Sequence, residues 1–126
     1  MGSTRFPGKP MYPLLGIPMI GHCYFRTCLV DALSDTYVAT CDQLIFDYIE
    51  SIGGKVVMTS TKHNRATERT VEALEIIEVR NGIKVDVVVM VQGDEPLIPP
   101  SAIAESINHF ENKEVNIVNI ISRFLN

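Results

Sequence analysis

The sequence has little of what binds a nucleic-acid backbone. Its 126 residues carry a formal charge of −4, and its 11 Lys and Arg are interspersed with 15 Asp and Glu. Without a basic stripe there is nothing to displace counterions from a run of phosphates, so nucleic acid is not an expected partner. Long apolar runs are missing too. The longest, 85–91, contains Asp86 and falls far short of the roughly 20 residues that cross a bilayer. The opening Met1-Gly2-Ser3-Thr4-Arg5 has neither the apolar core nor the cleavage site of a secretory signal, which makes cytoplasmic residence the expectation. A myristoylation reading at Gly2 fails because Phe6 stands where Ser or Thr is needed.

Cysteine is scarce and odd in number, at three. Cys23 and Cys28 sit five apart on an expected helix and so point to different faces of it; all three are expected as buried thiols, behaving as small apolar residues. His22, His63 and His109 show no metal-ligand spacing, and neither GxSxG nor a paired Cys/His signature occurs, so hydrolase machinery is not visible. His22, in an amphipathic stretch, is expected as a satisfied core or surface histidine.

What is present is 46% hydrophobic residues, enough for one core and therefore for one domain or part of one. Short β-branched runs at 36–40, 55–59, 86–91 and 115–122 alternate with helical patterns at 19–33, 44–52, 67–79 and 101–110. That alternation predicts βα units around a mostly parallel sheet, an α/β fold. The first three strands are dense in valine and methionine with little alternation, as expected where helices cover both faces. Gly53-Gly54 and Asn81-Gly82 end the second and third helices, and Pro99-Pro100 precedes the fourth. No repeat or linker divides the chain. Both ends look cut: no strand precedes the opening loop, and nothing follows to cover the last strand.

Three constellations can carry chemistry. The first is Gly2-Ser3-Thr4-Arg5-Phe6-Pro7-Gly8-Lys9-Pro10, where glycines free the backbone, Ser3 and Thr4 add hydroxyls, and Arg5 and Lys9 bring cations. Such a loop can surround a polyphosphate, although it has neither Walker nor dinucleotide-fold glycine spacing, and an ordinary solvated turn explains the residue types equally well. The second is Gln92-Gly93-Asp94-Glu95-Pro96, where the 86–91 strand runs out. Ligands of open α/β sheets bind beyond the carboxyl ends of strands, so Asp94 is the expected magnesium ligand, with Glu95 diverging from it; the alternative is a strand-ending turn with solvated acids. The third runs from Lys62 to Arg69 on the same rim. Thr67 is expected to cap the next helix and Arg69 to project toward the cleft, although a cap with solvated charges is the simpler reading of the residues alone.

Taken in order, GSTRFPGKP at 2–10, Val38-Ala39-Thr40, Gly53-Gly54, Thr67-Glu68-Arg69 and VQGDEPLI at 91–98 resemble the 3-deoxy-manno-octulosonate (Kdo) cytidylyltransferase, or CMP-Kdo synthetase, family over nearly the whole chain. VQGDEP is the discriminating run, since other nucleotidyltransferases have loops like GSTRxPGKP. The resemblance implies a Rossmann-like three-layer nucleotidyltransferase fold, present here as the CTP-binding part, with the first strand and the C-terminal half missing. It implies transfer of CMP from CTP to Kdo with release of pyrophosphate, for lipopolysaccharide biosynthesis, with Mg2+ as cofactor and a homodimer as the intact form. By position, Arg5 and Lys9 hold the triphosphate with Gly2, Ser3 and Thr4 assisting; Thr67, Arg69 and Gln92 lie near the nucleotide; and Asp94 binds magnesium. Arg5, Lys9 and Asp94 are the catalytic set on this reading. Arg65-Ala66 stands where the family often has Ser-Gly, and Cys41 where an acid is frequent, which leaves the sugar acid open, an amino-sugar variant included. The alternatives are another sugar acceptor, or a CTP-binding fragment without turnover.

Overall fold

The computed structural model describes residues 9–93 and 96–114. After a short 3-10 turn at Lys9–Met11 the chain forms a small hairpin, β1 (Pro13–Leu14) against β2 (Ile17–Pro18), and then α1 (Met19–Cys28), β3 (Val38–Thr40), α2 (Gln43–Ser51), β4 (Val56–Met58), α3 (Ala66–Asn81) and α4 (Pro100–Asn108). The hairpin is not apparent in the sequence, because its strands are two residues long and begin or end in proline. Its turn places both Leu15 and Gly16 at positive φ, the conformation that matches the twist of a two-residue hairpin.

The centre of the fold is a βαβ unit. β3 and β4 pair in parallel with Val38 opposite Val56 and Thr40 opposite Met58, and α2 makes the crossover. α2 starts where Asp42, in extended conformation, accepts the Leu44 amide at 2.8 Å, satisfying one of the orphan donors of a helix start. It ends at Gly53, whose φ of 75° suits glycine, with the Gly54 amide donating back to the Ile49 carbonyl at 2.9 Å. Ile45 and Ile49, one turn apart on α2, close the core with Val38 and Val56. Val57, only 1% exposed, points to the opposite face from Val56, and both α2 and α3 pack on the strand pair. The sheet is thus covered on both sides, as the valine-rich runs predict.

Gly82, at φ 63°, ends α3, and Pro99-Pro100 opens α4, both as expected. α1 stops at Cys28, five residues before the sequence suggests. Beyond it the Leu29, Val30 and Leu33 amides bond carbonyls three residues back, a tighter winding that drops Val30 into the core at 4% exposure. Of the cysteines only Cys23 is buried; Cys28 is exposed and Cys41 half-buried, and no disulfide joins them. The 86–91 run forms no ladder among the described residues. Its residues alternate, half-buried at Val87, Val89 and Val91 and exposed at Asp86, Val88 and Met90, so it presents one apolar side without a hydrogen-bonded neighbour. The 115–122 run lies outside the described residues.

Candidate functional site

One cleft of about 630 Å³ runs between the β3 side of the molecule and the 85–93 segment. Much of its wall is apolar, from Val38, Ala73, Leu74, Ile77, Val87 and Val89; this is the space between β3 and a segment that does not pair with it. Polar groups stand at both ends of the cleft: Ser34, Asp35, Thr36, Lys84 and Asp86 toward the start of β3, and a second set where β3 ends. Thr40, Arg69, Thr70 and Gln92 all line the cleft, together with Pro10 from the opening segment and Gly93. Ligand chemistry belongs to this polar end, at the carboxyl edge of the strands.

Local bonds fix each member. The Thr40 carbonyl accepts the Thr59 amide at 2.9 Å and its Oγ1 accepts the Asp42 amide at 3.0 Å, so the turn after β3 is held from two sides. Arg69 rides on the first turns of α3, with its amide bonded to the Arg65 carbonyl. Its Nη2 donates to the Cys41 sulfur at 3.5 Å, a weak acceptor, and its buried Nε has no partner among the described residues. A guanidinium that lines a cleft with a buried donor unspent is poised for an oxygen ligand, because an unmade buried hydrogen bond is costly.

Behind Arg69 lies a clasp that sequence reading missed. The two Glu72 carboxylate oxygens accept the Ser60 amide at 3.2 and 3.0 Å, and His63 Nε2 bonds one of them. The Asn64 amide donates to Glu68 at 3.2 Å. The Ser60 amide holds the Glu72 carboxyl below its ordinary pKa, helped by His63 and by the charge of Arg69. This network ties the loop after β4 to α3. Its members span loop and helix, so no helical spacing announces them; the Arg69–Cys41 contact, 28 residues apart, is equally silent in the sequence.

The structure brings together only part of the expected site. Arg69 and Gln92 share the cleft. Lys9 lies next to Pro10 in the opening 3-10 turn, its carbonyl accepting the Tyr12 amide at 3.1 Å. Thr67 does not cap α3 and is exposed outside the cleft. Arg65, with extended φ −123° and ψ 147°, takes the cap position without a side-chain bond, and Thr67 is already helical, a conformation in which it cannot cap. Gly2, Ser3, Thr4, Arg5 and Asp94 lie outside the described residues. Among those described, no group of three His, Cys, Asp or Glu could hold a metal, and no helix is long and apolar enough to cross a membrane. His22 is satisfied as expected, its Nε2 lying 2.7 Å from the Leu14 carbonyl.

Known proteins resemble this chain in sequence and fold. The 8-amino-3,8-dideoxy-manno-octulosonate cytidylyltransferase of Shewanella sp. (strain W3-18-1) is 47% identical over 112 residues, covering 89% of this chain and 44% of that protein. The 3-deoxy-manno-octulosonate cytidylyltransferase of Trichlorobacter lovleyi (strain ATCC BAA-1151 / DSM 17278 / SZ) is 47% identical over 109 residues, 86% of this chain and 41% of the relative. A solved structure of CMP:2-keto-3-deoxy-manno-octonic acid synthetase complexed with CTP superposes with a TM-score of 0.76 at 33% identity, covering 90% of this chain and 44% of that one. The fold is thus an α/β nucleotidyltransferase fold, and the chain spans less than half the length of the relatives it matches. The cytidylyltransferase family model matches residues 1–124, and the chain belongs to that family.

Proposed function

We propose that the protein containing this chain transfers CMP from CTP to a 2-keto-3-deoxy sugar acid, Kdo or its 8-amino derivative, releasing pyrophosphate. The observation that carries this reading is the polar end of the cleft, where Arg69, whose buried Nε has no partner among the described residues, lies with Thr40, Thr70 and Gln92. Relatives at 47% identity are named for both acceptors, and their identity to this chain does not separate the two. On this reading the three-layer sheet architecture is completed in the longer protein, which acts as a cytoplasmic homodimer and supplies lipopolysaccharide assembly.

The chemistry needs no covalent nucleophile. The anomeric hydroxyl of the sugar acid attacks the α-phosphorus in line, and the bond to pyrophosphate breaks, so positioning and neutralisation of charge do most of the work. Arg5 and Lys9 hold the triphosphate, with Gly2, Ser3 and Thr4 supplying amides and hydroxyls. Arg69 and Gln92 face the nucleotide from the two sides of the cleft. Thr67 does not line the cleft. Magnesium binds through one or two carboxylates and completes its shell with phosphate oxygens and water; Asp94 would be one such donor, with a further carboxylate supplied from outside this chain. When bound, the ion neutralises phosphate charge.

The test is pyrophosphate release with CTP, magnesium and either sugar acid, run on this chain and on the longest reading frame that contains it. Release that requires CTP is expected from the longer protein; equal use of ATP or GTP overturns the cytidylyl assignment. A second reading, a CTP-binding segment without turnover, is favoured by the 44% coverage of the relatives and applies to the chain alone. Turnover by the isolated chain rejects it.

A further inference from the structure

α1 touches both of the segments that supply the proposed ligand groups. At its start the Met19 amide donates to the Tyr12 carbonyl at 2.9 Å, and His22 Nε2 lies 2.7 Å from the Leu14 carbonyl, so the segment leading out of Lys9-Pro10 is fastened to the helix. On the other side, Arg26 Nε donates to the Ile98 carbonyl at 3.1 Å, a bond spanning 72 residues. An arginine in the last turn of a helix ordinarily spends its donors on its own terminal carbonyls or on solvent. Here it reaches across to the chain beyond Gln92-Gly93. Ile20, one and a half turns earlier on α1, presses on the same segment: a Cβ added at Gly93 would stand 2.9 Å from Ile20 Cδ1.

We infer that Arg26 is a positioning residue for the nucleotide site: its bond to the Ile98 carbonyl, with Ile20 against Gly93, seats Gly93 and Ile98 on α1 so that Gln92 faces the cleft. The inference rests on the proposed CTP reading. The reason is mechanical. Among the described residues the 85–91 run has no strand ladder, and the described contacts that hold the chain beyond it are those with α1. A tether to the same helix that holds the opening segment sets the spacing of the two walls. A side chain at Gly93 would crowd the Ile20 Cδ1 tip.

The experiment compares CTP affinity by calorimetry, with and without magnesium, and amide exchange at Leu97 and Ile98, in the longest reading frame containing the chain. Wild type must bind CTP; if it does not, the functional reading itself fails, independently of Arg26. Given binding, Arg26→Leu is expected to weaken CTP by about tenfold, the lower end for partners that orient a site, and to speed exchange at Leu97 and Ile98 while leaving α2 amides unchanged. Arg26→Lys keeps a donor and is expected to recover part of both. Gly93→Val probes the seat from the other side, should Arg26→Leu fail to fold: it is expected to weaken CTP, and the Ile20→Ala change in the same chain to restore it. Wild-type affinity and exchange in folded Arg26→Leu, or no rescue of Gly93→Val by Ile20→Ala, overturns the inference.

Discussion

Arg69 Nη2 lies 3.5 Å from the Cys41 sulfur, joining the start of α3 to the residue that follows β3, while the Nε of the same guanidinium has no partner among the described residues. The contact aims the side chain along the rim of the cleft without using its stronger donor directions. Hydrogen bonds to a charged partner contribute about 1.5–3 kcal/mol, so Arg69→Leu is expected to weaken CTP binding about tenfold to a hundredfold. Arg69→Lys keeps the charge but loses the planar fork, and is expected to fall between. Titration calorimetry checks both; unchanged affinity in Arg69→Leu removes this residue from the site.

Glu72 holds the loop after β4 and has a folded pKa below its ordinary value. A carboxylate depressed in this way adds stability that is present above its unfolded value, about 4.3, and is lost as pH falls through the folded value. The 60–64 loop is therefore expected to loosen in mild acid, seen as faster exchange of the Ser60 amide below about pH 4 relative to helix amides. Glu72→Gln keeps an acceptor for Ser60 but cannot titrate, and its Ser60 protection should lose that pH step.

Gly53 and Gly54 are adjacent but glycine for different reasons. A Cβ at Gly53 meets nothing within 4 Å, and only its φ of 75° resists a side chain. One at Gly54 would stand 2.7 Å from Ile49 Cγ2 and 3.0 Å from Tyr24 Cε1, and Ile49 is fully buried. Gly53→Ala should cost about 1–2 kcal/mol from left-handed strain. Gly54→Ala should cost about 1–3 kcal/mol through overpacking; with Ile49→Ala, which removes Cγ2, in the same chain the two losses should sum to less than their separate values, whereas Gly53→Ala and Ile49→Ala should add. Thermal melts of these variants decide it.

Asp94→Asn removes a charge with almost no change of shape. If Asp94 is the magnesium donor, turnover in the longer protein should fall by about a hundredfold or more, in line with the several kcal/mol such an ion contributes. Wild-type turnover would show that the metal lies elsewhere.

Elements whose signals are local were legible in the sequence. Three of the four helices fall within two residues of where the apolar periodicity places them, because breakers such as Gly53, Gly82 and Pro100 act within a few residues of their own position, while α1 stops five residues early. Valine-rich runs marked β3 and β4 for the same reason. Of the expected site residues, Arg69 and Gln92 line the same cleft. Thr67 was misread because capping depends on which residue leaves the helical conformation first, and that is Arg65.

By itself the sequence determined the βα order, the family, and which segments carry polar groups fit for a triphosphate, since composition, periodicity and motif order are properties of neighbouring residues. Only the tertiary structure decided that 86–91 does not pair with β3 or β4, that Glu72 and His63 clasp the loop behind Arg69, and that Arg26 reaches Ile98. Those contacts depend on how β3, α1 and α3 pack around one core, and residues up to 72 positions apart leave no spacing by which a linear pattern could announce them.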